Sequence, residues 1–205
     1  MKTQNQILEI PGLFTNKISK RLIFEVAGLT IEKPFSFDSA IYIPADKLSA
    51  IRLGKKSPGG MGFFLGKHFI IDLKHPDDSF TQIKFSCYCG LRMQAYEEAW
   101  TDAINHLYSF YFSSQLNMYI ELFHLKQSFE ILGVTFHDDG ISWGNNAIVP
   151  WKHVTLSNYT SNFVIHHRNS PRLNIGFNFS YHWNAYLLQG LLKYVVEEHY
   201  KMLSK

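Results

Sequence analysis

The residues of this chain that could do chemistry are ten histidines, two cysteines, a pair of adjacent aspartates and a lysine-containing glycine loop. Their spacing decides what each can do. Cys87 and Cys89 are separated by one residue. On an extended segment both would face the same way, a disulfide between them would be strained, and two thiolates alone do not complete a four-ligand zinc site. They read as idle thiols of a reducing compartment. His166 and His167 are adjacent, so on a strand they point to opposite faces. His137, His153, His182 and His199 lack a ligand spacing such as H-x-x-x-H, and they read as solvated or locally hydrogen-bonded imidazoles. Asp138-Asp139 precede Gly140, which makes them turn residues rather than an acid/base pair. Gly54-Lys55-Lys56-Ser57 contains no Gly-Lys-Ser triplet, and Ser49 stands where a phosphate loop needs its first glycine. There is no G-x-S-x-G elbow. The expectation is a protein that is not an enzyme, with no cofactor and no metal.

One segment has a binding chemistry of its own. In GKKSPGGMGFFLGK, from Gly54 to Lys67, the cations Lys55, Lys56 and Lys67 flank Met61, Phe63, Phe64 and Leu65. Charge that attracts an anionic surface beside rings that enter it is what a membrane contact uses. The plainer reading is a turn feeding a buried strand that begins at Phe63. Lys55, Lys56, Phe63, Phe64 and Lys67 are therefore the candidate contacts for a membrane or a partner. Trp143, Trp151 and Trp183 could line a cleft, but tryptophans are more often core.

Composition bounds the elements that must position these groups. The 205 residues suit one large domain or two small ones. An aromatic share of 16% supplies large side chains for a core and argues against disorder. A net charge of +3 is too small for a nucleic-acid binder, which needs a clustered basic face. The start, MKTQNQILEIPGLF, has no basic region followed by an apolar stretch, and no run approaches the ~18 apolar residues of a membrane span. A cytoplasmic location follows as the expectation, with peripheral membrane attachment as its variant.

Two segments share an order of features. GLTIEKPFSFDSAIYIPADKLSAIRL and GVTFHDDGISWGNNAIVPWKHVTL each begin Gly-apolar-Thr-apolar, at Gly28 and Gly133. Each later reaches apolar-Pro, at Ile43-Pro44 and Val149-Pro150. Both continue into a hairpin, with Pro76 and Pro171 in the turns and Phe85 and Phe177 at the ends. Val134 and Phe136, then Ile141 and Trp143, alternate across Asp-Asp-Gly, which is a hairpin pattern. A helix follows each hairpin. The first has the stripe Tyr96, Ala99, Trp100, Ala103, Ile104, Leu107 and Tyr111. The second has Trp183, Tyr186, Leu187, Leu191, Tyr194 and Val195, with Ser180 as N-cap and Lys193, Glu197, Glu198 and Lys201 facing water. Between the copies, SFYFSSQLNMYIELFHLKQSFEI reads as either helix or strand.

Gly140-Ile141, then Ile148-Val149-Pro150-Trp151-Lys152-His153-Val154, then the hairpin Phe163 to Phe177 and the helix after Trp183, resemble bacterial pleckstrin-homology-like (PH-like) domains. The first copy is similar, with Ala45 in place of the tryptophan. The resemblance implies an α+β fold of two PH-like units, each a bent antiparallel sheet capped by a C-terminal amphipathic helix. The ranges are 1–19 for an N-terminal segment, 20–112 for the first unit, 113–124 for a connector and 125–205 for the second. It also implies a binding or scaffold module. Its partner would be a protein or peptide, docked between an edge strand and the C-terminal helix or along a free sheet edge. An anionic membrane surface is the alternative. Members that bind phosphoinositides carry Lys and Arg around the first hairpin. The sequence reading places Glu32-Lys33-Pro34 and His137-Asp138-Asp139 there, which argues against that ligand.

Overall fold

A computed structural model describes residues 5–14, 17–34, 39–57 and 66–203, with the backbone alone at 171 and 200–203. The chain is α+β, its sheets all antiparallel, and it divides into two compact units, Met1–Ser113 and Ser114–Lys205. No helix among the described residues is long and apolar enough to cross a membrane.

Unit 1 opens with a four-stranded meander, β1 (Gln6–Pro11), β2 (Ile18–Glu25), β3 (Gly28–Glu32) and β4 (Ile41–Pro44). A single 3-10 turn, Ala45–Lys47, leads into a three-stranded meander, β5 (Ala50–Lys56), β6 (Gly66–Lys74) and β7 (Phe80–Tyr88). Helix α1 (Met93–Leu107) follows and runs into a π-helical turn, Tyr108–Phe112. Alternation buries Leu22 and Phe24, Leu29 and Ile31, Phe69, Ile71 and Leu73, and Ile83, Phe85 and Cys87. Burying each such large apolar side chain contributes roughly 1.5–3 kcal/mol. The expected stripe of α1 lies on this core: Tyr96, Ala99, Ala103, Ile104, Leu107 and Tyr111 are buried. Two tyrosines tie the helical segment to the first sheet. The Tyr96 hydroxyl donates to the Pro11 carbonyl at 2.9 Å, and that of Tyr111 to the Glu25 carbonyl at 3.0 Å. Burial pushes the Tyr111 hydroxyl pKa up to about 12.

Helix α2 (Ser113–His124) settles the stretch that reads either way in sequence, and Lys126 closes it in the left-handed conformation. Unit 2 then has the strands β8 (Phe129–Ile131), β9 (Val134–Phe136), β10 (Gly140–Trp143) and β11 (Val149–Pro150). A 3-10 turn, Trp151–His153, leads to β12 (Val154–Asn158), β13 (Asn162–His167) and β14 (Ser170–Asn178), and helix α3 (Ala185–Leu203) ends the chain. Trp143 and Trp151 are core, and the Trp151 indole N–H donates to the Asp138 carbonyl at 3.1 Å.

From the first strand of each unit to the helix after its seventh strand the order of elements is the same, but its register differs from the sequence reading. Gly28 corresponds to Gly140, not to Gly133. Gly28 opens β3 opposite Pro44, and Gly140 opens β10 opposite Pro150. A Cβ on either would lie 2.4 Å from the Ile43 carbonyl oxygen or 2.2 Å from that of Val149. Both prolines hold φ near −58° and lead into a 3-10 turn. Glycine is therefore required at both places by close backbone approach. Gly133 instead takes φ +73° in the turn between β8 and β9. Two strands, β1 and β2, lie ahead of Gly28, whereas one, β8, lies ahead of Gly133. β1 comes from the segment 1–19 and pairs along β2. Consequently Glu32 ends the third strand of unit 1 with Lys33-Pro34 after it, and Asp138-Asp139 joins the second and third strands of unit 2. Neither lies in a first hairpin.

Three local expectations also shift. Ser180 is not the cap of α3, which begins at Ala185 after Asn184 in the left-handed region. The buried stripe of α3 is Ala185, Leu187, Leu188, Leu191, Leu192 and Val195, while Tyr186 is exposed and Glu198 half-buried. Pro171 sits inside β14 rather than in the turn before it.

Candidate functional site

Strand β12 is the edge of its sheet. Two bonds fix the phase of its ladder: Arg168 N–H to the His153 carbonyl at 2.7 Å, and Tyr159 N–H to the Asn162 carbonyl at 2.9 Å. In an antiparallel pair the backbone groups alternate inward and outward. Thr155 and Ser157 therefore bond toward β13, while Leu156 and Asn158 turn their N–H and C=O away from the sheet. Side chains alternate independently of this, up and down. Val154 is fully buried, and the Asn158 amide oxygen accepts from Gln189 of α3 at 2.7 Å. Leu156, between them, shares the face that looks at α3.

A groove of about 370 Å³ results, with Val154, Leu156 and Asn158 on the strand side and Lys193, Val196 and Glu197 on the helix side. Asn158 and Gln189 close one end. Gln189 is 6% exposed, so its bond to Asn158 also satisfies a buried amide. Lys193 and Glu197 stand one turn apart on α3 and are exposed. The groove thus combines an apolar floor, strand-edge donors and acceptors that have no partner among the described residues, and one charge of each sign on its rim.

In unit 1 the bond that corresponds by register to Asn158–Gln189 is an ion pair between β5 and α1. The Lys55 ammonium bonds Glu97 of α1 and lies 4.3 Å from the centre of the Trp100 ring. Lys67 reaches the other oxygen of Glu97 at 2.5 Å. Burial opposes ionisation of Glu97, but the two lysines outweigh it and hold the carboxyl below its usual range. Of the five candidate contacts from sequence, Lys55 and Lys67 are thus joined to α1 and to each other through Glu97, and Lys56 is exposed. Phe63 and Phe64 lie outside the described residues.

The remaining reactive groups are engaged locally. His68 and Ser86 meet at 2.6 Å, His166 and Ser157 at 2.6 Å, and His137 and Ser142 at 3.0 Å, each across neighbouring strands. Among the described residues no carboxylate orients any of these imidazoles, so the hydroxyls lack an activated base. His153 stacks on His167 at 5.1 Å. Burial lowers the His153 pKa first, and His167, Lys152 and Arg168 lower it further. No group of three or more His, Cys, Asp or Glu among the described residues is placed to hold a metal ion. Cys87 is buried in its strand, while Cys89 is exposed in the following turn with φ 50°, so the two thiols do not share a face.

Two other hollows are lined by groups that bond one another. In unit 1, about 410 Å³ lies between Tyr42 and Pro44 on one side and His75 and Thr81 on the other. There His75 bonds Thr81 at 2.9 Å and the Lys47 carbonyl at 3.3 Å. In unit 2, about 280 Å³ is lined by His124, Lys126, Asp138, Trp151 and Glu198, with Lys126 paired to Asp138 at 3.0 Å. Nothing in the sequence marks the β12–α3 groove, whose walls are far apart in the chain. The nearest clue is Val154-Thr155-Leu156-Ser157-Asn158, a short run that ends polar before a turn.

Comparison with protein families, with curated proteins and with solved structures found no match.

Proposed function

We propose that the chain is a non-catalytic interaction module of two PH-like units, in which unit 2 takes up an extended peptide segment along β12 against α3. The observation that carries this reading is the outward N–H and C=O of Leu156 and Asn158 beside an apolar trough. An extended strand is the partner whose chemistry matches that edge, because its backbone supplies the complementary row and its alternate side chains enter the trough. The PH-like reading is supported by element order: in each unit a four-stranded meander, a 3-10 turn, a three-stranded meander and a helix. The rim asks for an acidic residue in the peptide facing Lys193 and a basic one facing Glu197.

The test is selection of peptides from a random displayed library on the full chain, followed by two variants at one position. Leu156→Ala removes the apolar floor and keeps the outward N–H. Leu156→Pro removes both, and proline is tolerated on an edge strand whose N–H faces out. The additional loss in the proline variant is about 1 kcal/mol, near fivefold in affinity, for one hydrogen bond. Selected peptides that bind both variants as they bind the native chain would rule the groove out, and so would the absence of any enriched extended motif.

A further inference from the structure

The sheet β5–β6–β7 neutralises most of its charges. Arg52 pairs with Asp72 at 2.9 Å, Lys74 with Asp78 at 2.6 Å, and Lys55 and Lys67 with Glu97. Lys56 and Lys84 are exceptions: among the described residues neither has an acidic partner, and both are exposed. They lie on one face. Lys55, Phe69, Phe85 and Cys87 point to the core side, so by alternation Lys56, His68, Lys84, Ser86 and Tyr88 share the outer side.

Register brings them together. Lys56 stands opposite His68, and His68 opposite Ser86, with Lys84 one step along beside Ile70. The strands β5 and β7 are two spacings apart, about 10 Å, which two lysyl side chains can close over the central strand. His68 Nδ1 and the Ser86 hydroxyl are 2.6 Å apart, and the Tyr88 ring meets the imidazole edge-on at 6.0 Å. Lys56 and Lys84 flank β6 on one face, and like charges on one face repel unless something answers them. Along the same face Arg52 is answered by Asp72, with Gln82 donating to the other carboxylate oxygen at 2.8 Å.

We propose that Lys56, His68, Lys84, Ser86 and Tyr88 form a binding site for a phosphomonoester group. A tetrahedral dianion accepts hydrogen bonds from several directions at once. Two ammonium groups, two hydroxyls and an imidazole supply donors that a flat carboxylate would use less fully. Burial first, and then Lys84, lower the pKa of His68. A dianion between the lysines reverses the second effect, so binding draws a proton onto the ring, with Lys56, Lys84, Ser86 and Tyr88 as the groups that face it.

The chemistry could be met by free phosphate or by a lipid headgroup, and two arms separate them. The full chain is titrated with inorganic phosphate against chloride at constant ionic strength, following the His68 ring and the Ser86 amide by NMR. It is also sedimented with phosphatidylcholine vesicles that contain or lack phosphatidic acid. Saturable shifts specific to phosphate place a soluble ligand at the site, and sedimentation with phosphatidic acid alone places a lipid there. In either case Lys56→Glu and Lys84→Glu weaken binding about tenfold, while the exposed Lys47→Glu leaves it unchanged. Equal responses to chloride, responses that survive both charge reversals, or no response in either arm would overturn the proposal.

Discussion

Replacing Glu97 by glutamine should destabilise unit 1 by about 2 kcal/mol. The carboxylate is bonded by two ammonium groups at once, and the three side chains are 24%, 26% and 31% exposed for Lys55, Lys67 and Glu97. A hydrogen bond to a charged group contributes about 1.5–3 kcal/mol when well shielded. Partial exposure lowers this toward the surface value of less than 1 kcal/mol. Glutamine keeps one acceptor, so one bond's worth at intermediate shielding, plus the repulsion between two lysines left without their anion, gives the estimate. For a unit of this size that corresponds to a fall of roughly 8 °C in melting temperature. The assay is denaturant unfolding of native and Glu97→Gln chains over a range of pH. The sign of the pH dependence is set by the lowered Glu97 pKa. The unfolded chain binds the proton first, so the stabilisation is present above the ordinary carboxylate value and is lost as pH falls through the lower folded value. The two proteins should therefore differ at neutral pH and converge in acid. A difference under about 0.5 kcal/mol at neutral pH, or one that does not shrink in acid, would show that Lys55 and Lys67 are solvated surface charges.

Two further outcomes are expected. Gly140→Ala should cost about 3 kcal/mol or prevent folding of unit 2, because its Cβ would lie 2.2 Å from the Val149 carbonyl oxygen, and an alanine variant of native stability in urea unfolding would contradict the assigned register. Burial first, then nearby cations, lowers the pKa of both His68 and His153. Their neutral forms are favoured by folding, so stability should decline as pH falls below the ordinary histidine value of 6.5, and the decline should be shallower in His153→Gln; a parallel pH profile in that variant would remove His153 from the account.

Much of the architecture was legible because its signals are periodic and local. The stripe from Tyr96 to Tyr111 meets the core as read, and the hairpin of β6 and β7 alternates cleanly because Phe69, Ile71, Leu73, Ile83 and Phe85 all face one side. β1 was not legible for a physical reason: only Ile10 in it is buried, so Gln6–Pro11 has no two-residue period to detect. Without that strand, the Gly-apolar-Thr-apolar coincidence at Gly133 sets the repeat in the wrong register. The stripe of α3 was legible at Leu187, Leu191 and Val195, which are buried, but not at its aromatic members. Leu188 and Leu192 are wholly buried, while Tyr186 is 39% exposed. The groove was invisible for a different reason, since outward backbone groups depend on ladder phase, which side-chain pattern does not report.

The ladders decide which places in the two units correspond. Lys55 stands opposite Phe69, which stands opposite Phe85, and Asn158 stands opposite Phe163, which stands opposite Phe177. Each phenylalanine pair is stacked with ring centres 5.3 Å apart. Lys55 therefore corresponds to Asn158. Their partners correspond as well, because Glu97 and Gln189 each lie one helical turn after the first residues of their helices, Met93 and Ala185. The bond from strand to helix is thus made at one shared place, by an ion pair in unit 1 and by two uncharged amides in unit 2. The amide pair satisfies the buried Gln189 without a charge, whereas Glu97 is held by a second lysine, Lys67, from the neighbouring strand. The chemistry of the tie changes between the units while its position in the ladder is kept.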